Sequence, residues 1–102
     1  MSDARIPPLH PGHYLRELLE ELGLSQYQLA KAVGVSAMRV SHIIHERRPV
    51  TAEMAIRLGL FFDQSPQYWM NLQTRYDMDV AMETLGERLS REISPLQAER
   101  VT

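Results

Sequence analysis

A chain of 102 residues has room for one domain with a single modest core, and its lack of cysteine excludes disulfides and thiolate metal sites. Net charge is −2, so any affinity for a polyanion must come from how charge is distributed rather than from its sum. No run is apolar and long enough for a membrane span, and the opening MSDARIPPLHPG lacks the basic-then-apolar pattern of an export signal, so the expected location is a reducing cytoplasm, with no membrane partner.

Residues 1–11 contain Pro7, Pro8 and Pro11 and read as an extended arm. A first helix begins near Gly12. Leu15, Leu18, Leu19 and Leu22 recur at i, i+3, i+4 and i+7, Arg16, Glu17, Glu20 and Glu21 take the wet side, and Gly23 ends the run.

Residues 25–46, SQYQLAKAVGVSAMRVSHIIHE, carry the most information. Ser25 can cap a second helix, and Gln28 three residues on completes a capping box. Leu29, Ala30 and Val33 supply its apolar face, and Gly34 suits the left-handed turn that follows. Val35 can then pack between the helices. Ser36 caps a third helix whose Val40, Ile43 and Ile44 share one buried face. That leaves Ala37, Met38, Arg39, Ser41, His42 and His45 free to reach a partner. This is a helix-turn-helix, the third helix being the reader of DNA. An αα-hairpin inside any helical core would share its caps and glycine. The joint pattern S-Q-x-x-L-A-x-x-x-G-V-S-x-x-x-V-S-x-I-I is more demanding, and it resembles the Cro and phage-repressor class of helix-turn-helix domains.

After the motif, ERRPV is a short basic loop in which Pro49 keeps the reading helix from continuing. Thr51 caps a fourth helix that buries Met54, Ala55, Leu58 and Phe62. Ser65 and Pro66 start a fifth, with Trp69, Leu72 and Tyr76 on one stripe, running to about Leu85 before Gly86. The remainder, GERLSREISPLQAERVT, is weakly amphipathic, with a short helix to about Ile93 and frayed residues after Pro95. The expected fold is all-α, a five-helix bundle of the phage-repressor type. Residues 12–85 form the domain and residues 86–102 a partly helical tail.

Charge supports the placement of the motif. Residues 25–48 hold Lys31, Arg39, Arg47 and Arg48 against Glu46 alone, whereas both flanking segments are acidic. Arg39 is the leading candidate for a base or phosphate contact, since a guanidinium can grip guanine O6 and N7 together. Ala37 and Met38, in the first turn of the reader, suit thymine methyls, although Met38 is equally suited to filling the edge of the core. Ser41 and His42 one turn later reach bases or phosphates, or remain surface groups. Gln26 and Gln28 begin the second helix, where side chains and free N–H groups meet a phosphate, unless Gln28 is spent in the capping box. Lys31, His45, Arg47 and Arg48 read as backbone clamps, the two arginines alternatively as a solubilising loop.

His42 and His45 have a spacing compatible with zinc, but no cysteine or further suitably spaced histidine completes a site, so no metal or cofactor is expected. The chain has no H-E-x-x-H, no G-x-S-x-G and no phosphate-binding glycine loop. An enzyme is not expected.

The flanks narrow the resemblance. HPGHYLRELLEELGLS is similar to the opening H-P-G-x-x-L-x-x-x-L-x-x-x-G-x-S, and TAEMAIRLGLFFDQSPQYWMNLQTRYDM carries S-P-x-x-W-x-N-L-Q, both features of the HigA (VapI-like) antitoxins. The match spans roughly residues 10–80. His13 departs from it, standing where an acidic residue is common. The resemblance implies a homodimer that binds double-stranded operator DNA in its own promoter and neutralises a HigB-type ribonuclease toxin. Such toxins are basic, so the acidic remainder of the chain is the expected toxin surface. Stand-alone regulators share the same signature, and that alternative stays open here.

Overall fold

A computed structural model describes residues 7–97 and is helical throughout, with no strand among those residues. The parts of the expected arm and frayed end at residues 1–6 and 98–102 lie outside the described residues. Helix α1 (Pro11–Leu22) opens with proline in its first turn, and the Gly12 amide donates to His10 Nδ1 at 2.9 Å. Helix α2 (Gln26–Val33) carries the full capping box: Ser25 Oγ accepts from the Gln28 amide at 3.0 Å and Gln28 Oε1 from the Ser25 amide at 2.8 Å. Gly34 follows with φ 78°, the left-handed conformation the turn demands. Helix α3 (Ala37–Ile44) is capped by Ser36, and α4 (Ala52–Phe62) by Thr51. Helix α5 (Pro66–Ala81) begins with Ser65 and Pro66 as cap and first-turn proline.

One boundary falls as expected but for a different reason, and one differs from the sequence expectation. Helix α3 ends at Ile44, well before Pro49, because Glu46 takes φ 63° and the Arg47 and Arg48 amides fold back onto the His42 carbonyl at 2.7 and 3.2 Å. Nor does Gly86 stop the fifth helix. The chain passes through a π-helical turn, Met82–Gly86, into α6 (Glu87–Glu92) with helical dihedrals at both junctions. Within that wide turn the Thr84 hydroxyl donates to the Val80 carbonyl at 3.0 Å, a local bond that favours a loosened ladder. Helix α5, the π turn and α6 therefore make one continuous rod, the fifth helix of the fold, and the molecule is drawn out to 57 × 33 × 21 Å.

The core gathers Leu15 and Leu19 of α1, Leu29, Ala30 and Val33 of α2, Val40, Ile43 and Ile44 of α3, Met54, Ala55 and Leu58 of α4, and Trp69 of α5. Each fully buried Leu or Ile contributes about 1.5 to 3 kcal/mol by leaving water. Trp69 is wholly buried, and its indole N–H donates to Gln64 Oε1 at 2.9 Å, so its single polar atom is satisfied. Leu18, Leu72, Phe62 and Val35 line the edge of the core, whereas Leu22, expected inside, is 53% exposed. Helix α1 lies across α3 and α5, α2 against α3 and α4, and α4 along α5. The α1–α3 crossing is close: a methyl group on Gly12 would strike the Ile43 carbonyl and come within 3.1 Å of Ile44 Cα. No helix of the described residues is long and apolar enough to cross a membrane.

Candidate nucleic-acid interface

Burial of Val40, Ile43 and Ile44 fixes which side of α3 faces outward. Ala37, Ser41 and His45 then follow one another at four-residue steps, with Met38 and His42 alongside. Ala37 and Met38 are exposed, Met38 at 67%, at the end of the helix where free N–H groups create positive potential. Ser41 and His42 are half-buried one turn later. His45 folds back along its own helix, with Nδ1 at 2.9 Å from the Ser41 carbonyl and 3.2 Å from the Ser41 hydroxyl. Its Nδ1 is thereby occupied, and Nε2 is the atom left for a partner.

Arg39 stands at the flank of this stripe rather than at its centre. Its side chain is 25% exposed and Nη2 lies 3.4 Å from Glu53 Oε1, in the first turn of α4. Glu53 also receives Nε and Nη2 of Arg57 at 3.0 and 2.8 Å, both on Oε2, an ion pair one helical turn apart. Arg57 Nη1 in turn donates to the Val33 carbonyl at 2.8 Å, so a cation closes the C-terminal end of α2. The hydrogen bond from Arg57, then the charge of Arg39, holds the Glu53 carboxyl below its ordinary range. One carboxylate thus ties the turn of the motif, the start of α4 and the leading candidate for a DNA contact, Arg39, together.

At the other rim, Arg47 and Arg48 are exposed on the loop between α3 and α4, beside His45. Gln26 is half-buried and Lys31 exposed on α2, while Gln28 has its carbonyl oxygen engaged in the capping box. Sequence reasoning passed over Tyr27, which is 65% exposed beside Gln26 in the first turn of α2. The available signal was an aromatic residue interrupting a polar helix face. It also passed over Glu53 and Arg57, for which the only local sign was their i, i+4 spacing.

This architecture recurs in known proteins. Residues 15–69 match the helix-turn-helix family model. Virulence-associated protein I of Dichelobacter nodosus is 46% identical over 77 residues, covering 74% of this chain and 71% of that protein. The Pseudomonas aeruginosa antitoxin HigA, solved with the higBA promoter, is 47% identical with a TM-score of 0.85, the alignment covering 88% of this chain and 99% of that one. An addiction-module antidote protein of the HigA family from Coxiella burnetii is 38% identical with a TM-score of 0.88, over 89% of this chain and all of its own described length, 100%. With the motif, the flanking signatures and the whole helical framework in agreement, this chain belongs to the helix-turn-helix family and, within it, to the HigA antitoxins.

Proposed function

We propose that the chain is a sequence-specific DNA-binding antitoxin that represses its own operon and neutralises a HigB-type ribonuclease toxin. The observation that carries this reading is the exposed first turn of α3, capped by Ser36 and flanked by Arg39 and the Arg47–Arg48 loop, in a fold whose HigA relative was solved with promoter DNA. In it, Ala37, Met38, Ser41 and His42 meet base edges, Arg39 grips a base or phosphate, and Gln26, Gln28, His45, Arg47 and Arg48 hold the sugar-phosphate backbone.

One copy reads only one half-site, so a palindromic operator calls for a homodimer. Met78, Met82 and Leu85 form an exposed apolar stripe along the rod, beyond the core, and a second copy of the same rod is the partner assigned to it. The toxin falls to the acidic face of α1, where Glu17, Glu20 and Glu21 are all exposed, because a basic ribonuclease and a carboxylate surface favour encounter.

The two activities are separable on this reading. Changing Arg39 and His42 together to Ala should abolish operator binding in a gel-shift assay while leaving growth rescue of cells expressing the neighbouring toxin intact. Circular dichroism controls for folding. Loss of both activities in a folded variant would show that the surfaces overlap. If the wild-type chain bound its promoter but rescued no growth and co-purified with no toxin, the stand-alone regulator would replace the antitoxin.

A further inference from the structure

The loop that carries Arg47 and Arg48 is anchored at both ends, and by different means. Its entrance is closed within the loop by the two amides returning to the His42 carbonyl. Its exit is closed from far away. The Val50 amide donates to Gln73 Oε1 at 2.7 Å, a buried bond between residues 23 positions apart. Gln73 is 5% exposed, and its Nε2 donates to Asp77 Oδ1 at 3.0 Å, which fixes the amide orientation so that the oxygen faces Val50. Val50 itself is 1% exposed, so its N–H has no access to water if Gln73 is lost. Beneath the loop His10 and Tyr76 meet edge to face at 4.9 Å, and an open depression of about 220 Å³ lies between them and Arg47 and Arg48. A segment beside such an open depression is only partly packed, so its position depends on the hydrogen bonds at its ends, with the Arg48 backbone beside His10 as a further polar contact.

We infer that Gln73 is a positioning residue for DNA binding: by accepting the Val50 amide it sets the path of the loop, and so the geometry in which Arg47 and Arg48 meet the phosphate backbone. The inference rests on the proposed reading of those two arginines as backbone clamps. It adds that a side chain on α5, touching no nucleic acid, governs them. Gln73 is also the last residue of the S-P-x-x-W-x-N-L-Q signature, and the fold gives that position a physical task.

The test is salt titration of promoter binding by the full-length chain. Replacing Arg47 and Arg48 together by Ala should flatten the dependence of log K on log salt by about 0.9 for each phosphate that is no longer neutralised. Gln73→Met keeps the volume and removes the acceptor, and should flatten the same slope by about 0.9. Added to the arginine double variant it should change the slope no further. A Gln73→Glu, Asp77→Asn double variant exchanges donor and acceptor between the two side chains while still accepting from Val50, and should restore the wild-type slope. A Gln73 that merely stabilised the fold would lower the melting temperature of Gln73→Met and leave the slope unchanged, which overturns the inference. An unchanged slope in the arginine double variant overturns instead the clamp reading beneath it. Hydrogen exchange at the Val50 amide of the wild-type chain tests the underlying bond even if Gln73→Met fails to fold: protection comparable to the core helices is expected, and exchange at the rate of an open loop overturns the proposal.

Discussion

At the scale of single residues, Arg39 and His10 show how neighbours define a side chain's task. Held by Glu53, Arg39 loses freedom before DNA arrives, which lowers the entropy cost of a directed contact. Arg39→Ala should therefore weaken operator binding by about 1 to 3 kcal/mol and relax selectivity at one position. Glu53→Gln should act in the opposite sense. Freeing two guanidinium groups raises affinity for any duplex and steepens its salt dependence, while the ratio of operator to random-sequence affinity falls; footprinting with competitor DNA measures both. His10 is held neutral for a different reason. Burial lowers its pKa, outweighing Glu46, the Arg48 backbone and Asp77, all of which favour the charged ring. The unfolded chain binds that proton more readily than the folded one, so stability is full above the ordinary histidine range and is lost as pH falls through it toward the depressed folded value. Protonation at Nδ1 would also remove the acceptor for the Gly12 amide. Melting temperature should decline on acidification, and His10→Asn, which keeps a cap acceptor, should flatten that decline.

At the scale of elements, much of the fold was legible because helix ends are local events. Ser25 with Gln28, Gly34, Ser36, Thr51 and Ser65 with Pro66 all act within three residues of themselves, and each performs the role its spacing foretold. What escaped was non-local. Arg57 reaches Val33 across 24 positions, Gln73 reaches Val50 across 23 and Arg39 reaches Glu53 across 14, and no periodicity announces such pairings. Gly86 misled for another reason: a glycine inside a helix costs only about 1 kcal/mol relative to Ala, which good helix formers such as Glu83, Leu85, Glu87 and Arg88 offset. The reading stripe on α3 was legible from its buried face. The flanking position of Arg39 was not, since it depends on where α4 starts. The close crossing of α1 over α3 makes a sharp prediction. Gly12→Ala has to push the reading helix away from the Ile43 carbonyl, and should destabilise the chain by about 1 to 3 kcal/mol in denaturant titration, with operator affinity falling further than the loss of folded protein explains.

At the scale of the whole molecule, the proposed function assigns the compact helix-turn-helix unit and the projecting rod to separate ends. The proposed seam along Met78, Met82 and Leu85 predicts that Met82→Glu shifts sedimentation from dimer to monomer and lowers operator affinity more than tenfold, without loss of helicity. A wild-type chain strictly monomeric with and without DNA would remove the dimer. The wide turn at Met82–Gly86 has a consequence for that seam. A π turn is what an α-helix becomes when it absorbs one surplus residue, and each residue turns an α-helix by about 100°. The turn therefore works as a phase keeper: its five residues cover about the rotation that four would in an α-helix, so everything distal to it holds its azimuth against the domain despite the extra residue. Deleting Thr84 should let the rod relax to uninterrupted α-helix, leaving circular dichroism and melting temperature nearly unchanged. Leu85 and the residues beyond it should keep their azimuth, since the residue removed is the one the turn had taken up, so the variant should fold well and still pair, as sedimentation would show.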